Sequence, residues 1–194
     1  MATQTQSQDA IVMLREEHRE VLDAFKEFEK TDSEDRKAKL AKQICTDLTI
    51  HAMLEEELFY PSFRGKIEDD LLDEAMVEHD AAKVLIAEID SAGPEAEYFD
   101  AKVKVLGEMI EHHIEEEEQP NKGIFAEARK VDVDLKELGG LMAARKAELQ
   151  AQFGDGMLPP PEVRTFADEP AVQISEEIET PAVMSAEEQT GAQR

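Results

Sequence analysis

A histidine followed by a His-x-x-x-Glu motif occurs twice in this chain, in nearly constant register. The residues of the two copies are His18, His51 and Glu55, then His79, His113 and Glu117. Corresponding positions are 61 or 62 residues apart, and four of the five histidines belong to the pattern. This repeat predicts two similar metal half-sites, built by equivalent elements of secondary structure.

The spacing within each motif is that of an α-helix. Residues i and i+4 lie one above the other on a helix, so each His-x-x-x-Glu pair can aim an imidazole and a carboxylate at one point. Imidazole suits iron, copper and zinc, and a carboxylate has two oxygens with which to bridge two ions. Four imidazoles and two carboxylates therefore indicate a two-metal site rather than a single tetrahedral zinc.

The alternative is that these histidines are ordinary core residues, since a single histidine on an apolar stripe usually bonds to a neighbouring side chain. Burying four imidazoles and two carboxylates together without a metal would cost several kcal/mol for each unpaired charge, which favours the metal site. His112 with Glu116 also matches the motif. Because His112 lies about 100° round the helix from His113, we expect it beside the site or at the surface.

Apolar residues at spacings of three and four predict four long helices with the motif residues on their inner stripes. Short connections between helices of similar length favour an all-α, up-down-up-down four-helix bundle. Pro61 is expected to end the second helix, and a kink or short loop is expected near Pro120. The predicted helices cover residues 8–30, 34–60, 68–91 and 95–119.

The C-terminal part of the chain differs in composition from the bundle. Residues 132–153 predict a fifth helix, interrupted at Gly139-Gly140, whose leucines, Leu141 among them, can dock on the bundle. Residues 154–194 contain five of the eight prolines and nine acidic residues against two arginines, a composition typical of disorder. We therefore divide the chain into a bundle (8–130), an accessory helix (131–153) and a disordered acidic tail (154–194), whose protein partner the sequence leaves open.

The motifs resemble those of the hemerythrin-like family, also called the HHE cation-binding domain. The similarity covers about residues 8–130. It is carried by Leu14-Arg15-Glu16-Glu17-His18-Arg19, by His51 through Pro61, by Glu78-His79-Asp80, and by His113 through Glu118.

The resemblance implies a four-helix bundle with a non-haem di-iron centre. Carried over by position, the metal ligands are His18 and His51 on one iron, His79 and His113 on the other, and Glu55 and Glu117 as bridges. The implied cofactor is a pair of iron ions (Fe²⁺/Fe³⁺), which an oxo or hydroxo group can also bridge.

One position departs from the oxygen-carrying members of that family, which have two histidines a turn apart on the third helix. Here the residues a turn either side of His79 are Ala75 and Lys83. Water, a bridging group or a nearby side chain must complete that iron. We expect Lys83 to extend outward and Tyr60 to pack at the end of its helix, with coordination by Tyr60 as the alternative.

The glutamates next to the motifs have a simpler expected role. Glu56 and Glu118 are expected on the solvated faces of their helices, although either could also swing to a metal. Cys45, the single cysteine, can form no internal disulfide and is expected to be a buried small apolar residue.

Charge and hydropathy limit the partners. The formal net charge is −25, from 46 acidic and 21 basic residues, which disfavours nucleic acid and anionic membranes. No apolar run approaches the ~20 residues that span a bilayer, and the N-terminus lacks an apolar signal region. The expectation is a soluble, cytoplasmic protein.

Three functions fit a di-iron bundle. The first is a carrier or sensor of dioxygen, nitric oxide or peroxide. The second is a redox enzyme that decomposes peroxide at the same centre, and the third is iron sensing or handling. No motif for a bulky organic substrate is visible in the sequence, which favours small diatomic or peroxide ligands. The missing fifth histidine weakens the interpretation as a pure carrier. Binding of dioxygen-class ligands leads, with peroxide turnover as the alternative.

Overall fold

A computed structural model of the chain describes residues 8–154 and 157–166. It contains seven α-helices and one π-helical turn within those residues. In chain order the elements are α1 (Ala10–Lys30), α2 (Glu34–Leu54), a π-helical turn (Glu55–Phe59), α3 (Tyr60–Phe63), α4 (Asp69–Ala92), α5 (Phe99–Glu117), α6 (Ile124–Ala128) and α7 (Leu135–Phe153).

The four long helices α1, α2, α4 and α5 form the bundle. Each packs on its neighbours in the ring, α1 on α2, α2 on α4, α4 on α5 and α5 on α1. Asp9 caps α1 by accepting hydrogen bonds from the Ile11 and Val12 N–H groups, and Ser33 caps α2 by accepting one from Arg36. The predicted all-α bundle is confirmed, with α7 added against α1 and α2.

Helix α2 does not stop before Pro61 as expected. The π turn joins α2 to α3, and the Tyr60 N–H donates to the Glu55 carbonyl five residues back. Proline has no N–H to donate, and the shifted hydrogen-bond pattern places it in the first turn of α3, where none is needed. Helical structure therefore continues to Phe63, and the phase of the helix changes just after Glu55.

Helix α7 is continuous, so the interruption expected at Gly139-Gly140 is wrong. A Cβ on Gly139 would lie 1.9 Å from the Gln8 carbonyl oxygen and 2.8 Å from the Ala10 nitrogen. Glycine is thus used here for close approach of two backbones. Leu138, Met142 and Leu149 are buried against the bundle, whereas Leu141 is 56% exposed rather than docked.

Two apolar clusters fill the bundle, one at each end of the long helices. The first contains Leu14, Leu54, Phe59 and Phe125, and the second contains residues of all four long helices, such as Leu106. The repeated histidines lie along the helices where these two clusters meet.

Part of the predicted tail is included in the structure. Residues 157–166 are not helical and contact the bundle at Asp80 and Lys83. We call this segment the C-terminal strap. The disorder expected for residues 167–194 concerns a part of the chain outside the described residues.

Candidate metal centre

The six motif residues come from five different elements and meet in the interior. His18 lies on α1, His79 on α4, and His113 with Glu117 on α5. His51 lies on α2, and Glu55 lies on the π turn that follows. All six are buried, with exposed fractions of at most 8%.

One half-site is formed by His18 and His51. Their Nε2 atoms are 3.2 Å apart. His51 Nε2 lies 3.2 Å from Glu55 Oε2, and His18 Nε2 lies 3.4 Å from Glu117 Oε2. The ring of Phe125 stacks on that of His18 at 5.6 Å and helps to fix its orientation.

The other half-site is formed by His79 and His113, whose Nε2 atoms are 3.3 Å apart. His79 Nε2 lies 3.3 Å from Glu55 Oε2, and His113 Nε2 lies 3.7 Å from Glu117 Oε2. Each of the two carboxylates therefore stands between the two histidine pairs.

Four further carboxylates bind the outer ring nitrogens, one for each imidazole. The Nδ1-to-carboxylate distances are 2.9 Å for His18 and Glu118, 2.7 Å for His51 and Glu17, 3.0 Å for His79 and Glu56, and 2.8 Å for His113 and Glu78. Ionised carboxylates only accept, so each imidazole donates its Nδ1 proton outward. In the neutral form of the ring, the Nε2 lone pair is then directed inward.

The donor set fits a cationic guest. Four Nε2 lone pairs and two carboxylates converge, and Glu55 Oε1 and Glu117 Oε2 are buried without a hydrogen-bond partner. Uncompensated buried acceptors are costly, and a metal ion would satisfy them together. Three groups of donors have ligand atoms within 4.8 Å of one another. Two are buried: His18, His51, Glu55 and Glu117 form one, and Glu55, His79 and His113 the other. The third, Glu78, His112 and Glu116, includes the exposed His112.

The outer carboxylates repeat with the motifs, which the sequence interpretation missed for Glu17 and Glu78. Each of these two precedes a motif histidine directly, just as Glu56 and Glu118 follow the two motif glutamates. The pairing crosses between helices: Glu17 on α1 supports His51 on α2. In the same way, Glu78 on α4 supports His113 on α5. Glu56 and Glu118 thus face the imidazoles rather than the solvent.

Basic side chains neutralise three of these four carboxylates. Arg15 lies 3.4 Å from Glu118, and Lys146 on α7 lies 2.8 Å from Glu17. Lys83 contacts Glu56 at 2.7 Å, so the expected outward course of its side chain is wrong. Its ammonium also lies 2.9 Å from Asp80, which holds it against α4.

Tyr60 reaches the centre instead of only packing at a helix end. Its hydroxyl donates to Glu117 Oε1 at 3.0 Å and lies 3.4 Å from both Glu55 Oε2 and His79 Nε2. The π turn explains this position. Five residues along an ideal α-helix would rotate a side chain about 140° past Glu55, whereas the i→i+5 pattern brings both to one side.

His112 remains at the surface. Its side chain is 63% exposed and its Nε2 lies 3.4 Å from Glu116 and 3.8 Å from Glu78. Helical phase therefore separates it from His113, which points into the centre.

The electrostatics of the centre favour positive charge. Burial alone would lower the pKa of His51, but Glu55 and Glu17 outweigh it and hold that pKa well above its usual value. Burial likewise would raise the pKa of Glu55, whereas His51 and His79 hold it well below the usual value. Burial and the carboxylates of Glu117 and Glu55 raise the pKa of the Tyr60 phenol. Protons and a metal ion therefore compete for this cluster of donors.

Two cavities border the centre from opposite halves. One, of about 90 Å³, is lined by His18, His51 and His113, by aliphatic residues such as Val21, and by charged residues such as Glu17. The other, of about 400 Å³, borders His79 and lies between α2, α4 and the strap.

Comparison with known proteins agrees with this geometry. Residues 9–122 match the family described as Hemerythrin HHE cation binding domain. The chain belongs to this family. The resemblance inferred from the motifs is thereby confirmed, and a capacity to bind metal cations follows from the family together with the His/Glu clusters.

Two relatives place this domain in a wider context. A crystal structure of a Hemerythrin HHE cation binding domain-containing protein from Mycobacterium kansasii is similar with a TM-score of 0.62 and 24% identity, covering 75% of this chain and 89% of that one. A DNA nickase from Nostoc sp. is 29% identical over 106 residues, which is 55% of this chain. The chain spans only 30% of the length of that relative. Among the described helices, none has the length and apolar character to cross a membrane.

Proposed function

We propose that this chain is a non-haem di-iron protein that binds small ligands of the dioxygen class, namely dioxygen, nitric oxide or peroxide, as a carrier or sensor. His18 and His51 would hold one iron, and His79 and His113 the other. Glu55 and Glu117 would bridge them, since each carboxylate stands within 3.7 Å of both histidine pairs.

The donors suit iron, which the resemblance to hemerythrin-like proteins implies. Imidazole and carboxylate are typical ligands of non-haem iron, while zinc in structural sites prefers four ligands that include thiolates. Cys45 is buried elsewhere, with Sγ directed at the Ile86 carbonyl. When bound, two irons would supply redox activity and an exchangeable position for a small ligand.

The cavity of about 90 Å³ is the observation that carries the proposal. It borders three of the four imidazoles, and Val21, Ile110 and Ile114 form an apolar part of its wall. Charged side chains, Glu17 and Lys146 among them, line the rest. A water needs roughly 10–15 Å³ measured in this way, so the space holds a ligand of a few atoms and no bulky substrate. An apolar wall also suits uncharged diatomic molecules.

The chain's own residues prepare the centre for such a ligand. The outer carboxylates orient each imidazole through Nδ1, which fixes the ring and raises its basicity. Tyr60 holds a proton within hydrogen-bond distance of both proposed bridges. A ligand that bears negative charge could accept this proton or hydrogen-bond to it.

The direct test is the absorption spectrum of the iron-loaded protein during titration with azide, nitric oxide and peroxide. Val21→Phe fills the small cavity and should weaken the ligand response while iron content is retained. Val12→Phe is the matched control, because Val12 lies on the same helix and is 39% exposed. An unchanged response in Val21→Phe would show that ligands do not use this cavity.

Peroxide decomposition is the second candidate, and the position of Tyr60 favours it. A buried hydroxyl between both carboxylates and His79 can donate a hydrogen bond to a reacting peroxide. Catalytic loss of peroxide that falls in Tyr60→Phe, with iron content unchanged, would support the enzyme. If peroxide only changes the spectrum and is not consumed, the carrier or sensor is favoured. Iron handling predicts instead that the centre loses and regains iron readily under physiological chelators.

The Nostoc relative raises DNA as a partner. We propose that this chain does not bind it, because its net charge is −25 and acidic surfaces repel the phosphate backbone. Incubation of the metal-loaded protein with supercoiled plasmid should leave the plasmid intact. Nicking that depends on His79 and His113 would contradict this proposal and would make the centre a nuclease site.

A further inference from the structure

The C-terminal strap, residues 157–166, covers the larger of the two cavities. The backbone N–H groups of Arg164 and Thr165 each donate to Asp80 Oδ2 at 2.7 Å. The Lys83 ammonium donates to the Glu162 carbonyl at 3.2 Å. Asp80 has no exposed surface, and its Oδ2 accepts both of the hydrogen bonds from the strap backbone.

The cavity beneath the strap is large and mostly aliphatic. Its volume is about 400 Å³, compared with an engineered apolar cavity of about 150 Å³ that binds benzene. The aliphatic and thioether side chains that line it include Leu48, Ala52, Met53, Ala82, Ile86 and Leu158. A site of this size is in the range of pockets for small organic ligands.

The charged groups around the cavity are already paired with one another. Glu57 binds Arg145 at 2.7 Å, and Asp90 binds Lys42 at 2.7 Å. Glu162 pairs with Arg164 at 3.0 Å. Glu56 is held by Lys83 and by the His79 imidazole, as described above. A charged ligand would therefore find no free counter-ion here and would lose its hydration, so an uncharged ligand is favoured.

We propose that this cavity is a binding site for a neutral, largely aliphatic organic molecule, closed by the strap. Such a ligand differs in class from the small inorganic ligands of the proposed function. His79 lines the cavity. One end of the bound molecule would therefore lie against one imidazole of the metal centre. The site accounts for the buried carboxylate of Asp80, whose hydrogen bonds go to the strap and to Lys83.

The experiment uses the full-length, iron-loaded protein and three probes of equal chain length: n-octanol, octanoate and n-octylamine. Titration calorimetry measures each affinity. We expect n-octanol to bind, and to bind more tightly than either charged probe. Tighter binding of octanoate or n-octylamine would overturn the neutral ligand class, and absence of binding by all three would overturn the site.

Point variants locate the binding. Ala87→Phe places a ring in the cavity from a half-buried position and should weaken n-octanol binding by at least about tenfold, as expected for loss of most apolar burial. Ala101→Phe is the matched control on an exposed position of α5 and should leave binding unchanged. Leu158→Ser alters only the strap, so it leaves the bundle helices intact, and should weaken binding several-fold.

The outcomes separate this site from the metal centre. Equal n-octanol affinity in Ala87→Phe and Ala101→Phe would overturn the proposal, whether or not the variants retain their iron. Retained azide response with no n-octanol binding would reject this site and leave the proposed function standing. Binding of n-octanol together with no response to azide, nitric oxide or peroxide would support this site and count against the proposed function alone.

Discussion

The two halves of the candidate metal centre are alike inside and different outside. In both, a pair of imidazoles faces the same two carboxylates, and an outer glutamate fixes each ring at 2.7–3.0 Å. Outside the His18 and His51 half lie α7 and a cavity of about 90 Å³. Outside His79 lie the non-helical strap and a cavity of about 400 Å³.

This difference shows that one part of the sequence specifies the metal ligands and other parts specify the access to the centre. The repeat of 61 or 62 residues carries the ligands and their supporting carboxylates. The segments that cover the two halves, α7 and the strap, lie outside the repeat and differ in length and structure. Asp80 and Lys83 hold the strap, and the corresponding positions of the first copy are Arg19 and Leu22, which cannot form the same contacts.

The largest expected effect separates two adjacent histidines of the second half. His113→Ala should lose at least one iron, because this imidazole is buried and directed into the centre. His112→Ala should retain both irons, since its side chain is 63% exposed. Metal analysis of the two variants checks this. Loss of iron from His112→Ala alone would mean that the fourth bundle helix is rotated by one residue, with Glu116 as its ligand.

The outer carboxylates should show a graded difference between the halves. Loss of such a supporting group typically weakens metal binding by about 10–100-fold. We expect Glu17→Gln to have the larger effect, because Glu17 is 11% exposed and clamped by Lys146, whereas Glu78 is 23% exposed. Iron retained during challenge with a chelator measures both. A greater loss in Glu78→Gln would show that the supporting network of the second half is the tighter one.

Removal of the strap should have a moderate effect on stability and none on iron content. The two hydrogen bonds to the Asp80 carboxylate are charge-assisted and contribute about 1.5–3 kcal/mol each at most. A chain ending at Gly154 should melt several degrees below a chain ending at Phe166, which keeps the strap. Loss of iron from the shorter chain, with iron retained in the longer one, would show that the strap also closes the metal centre.

The smallest expected effect concerns Cys45, in the cluster at the end of the bundle away from Phe59. Burial raises the pKa of its thiol to about 12, so little thiolate exists near neutral pH. The folded protein should react with a maleimide far more slowly than the denatured protein. Rapid labelling of the native, iron-loaded chain would indicate that this end of the bundle opens.

The bundle and the six inner residues could be predicted because both are local in origin. Helical periodicity places His18 and His79 on inner stripes, and the i+4 spacing aligns each histidine with its glutamate. These relations need no knowledge of how the helices pack.

The features that sequence reasoning missed depend on contacts between distant segments or on irregular backbone. Glu17 and Glu78 act on histidines of a neighbouring helix, although their repeated position before a motif histidine was visible. For Tyr60 the sequence left contact with the metals as the alternative, and the π turn is what brings its hydroxyl to the centre. The sequence predicts an interruption at Gly139, because the partner of this glycine, the backbone at Gln8, is distant in sequence and adjacent only in the fold.

The stoichiometry and identity of the bound metal test the central claim most directly. Full-length protein from iron-supplemented cells should contain two irons per chain, and removal of either shared carboxylate, in Glu55→Ala or Glu117→Ala, should reduce this below one. Iron should also raise the melting temperature, since saturation at a hundred times the dissociation constant contributes about 2.7 kcal/mol. A single ion per chain, or two irons retained in both variants, would contradict a centre in which two half-sites share Glu55 and Glu117.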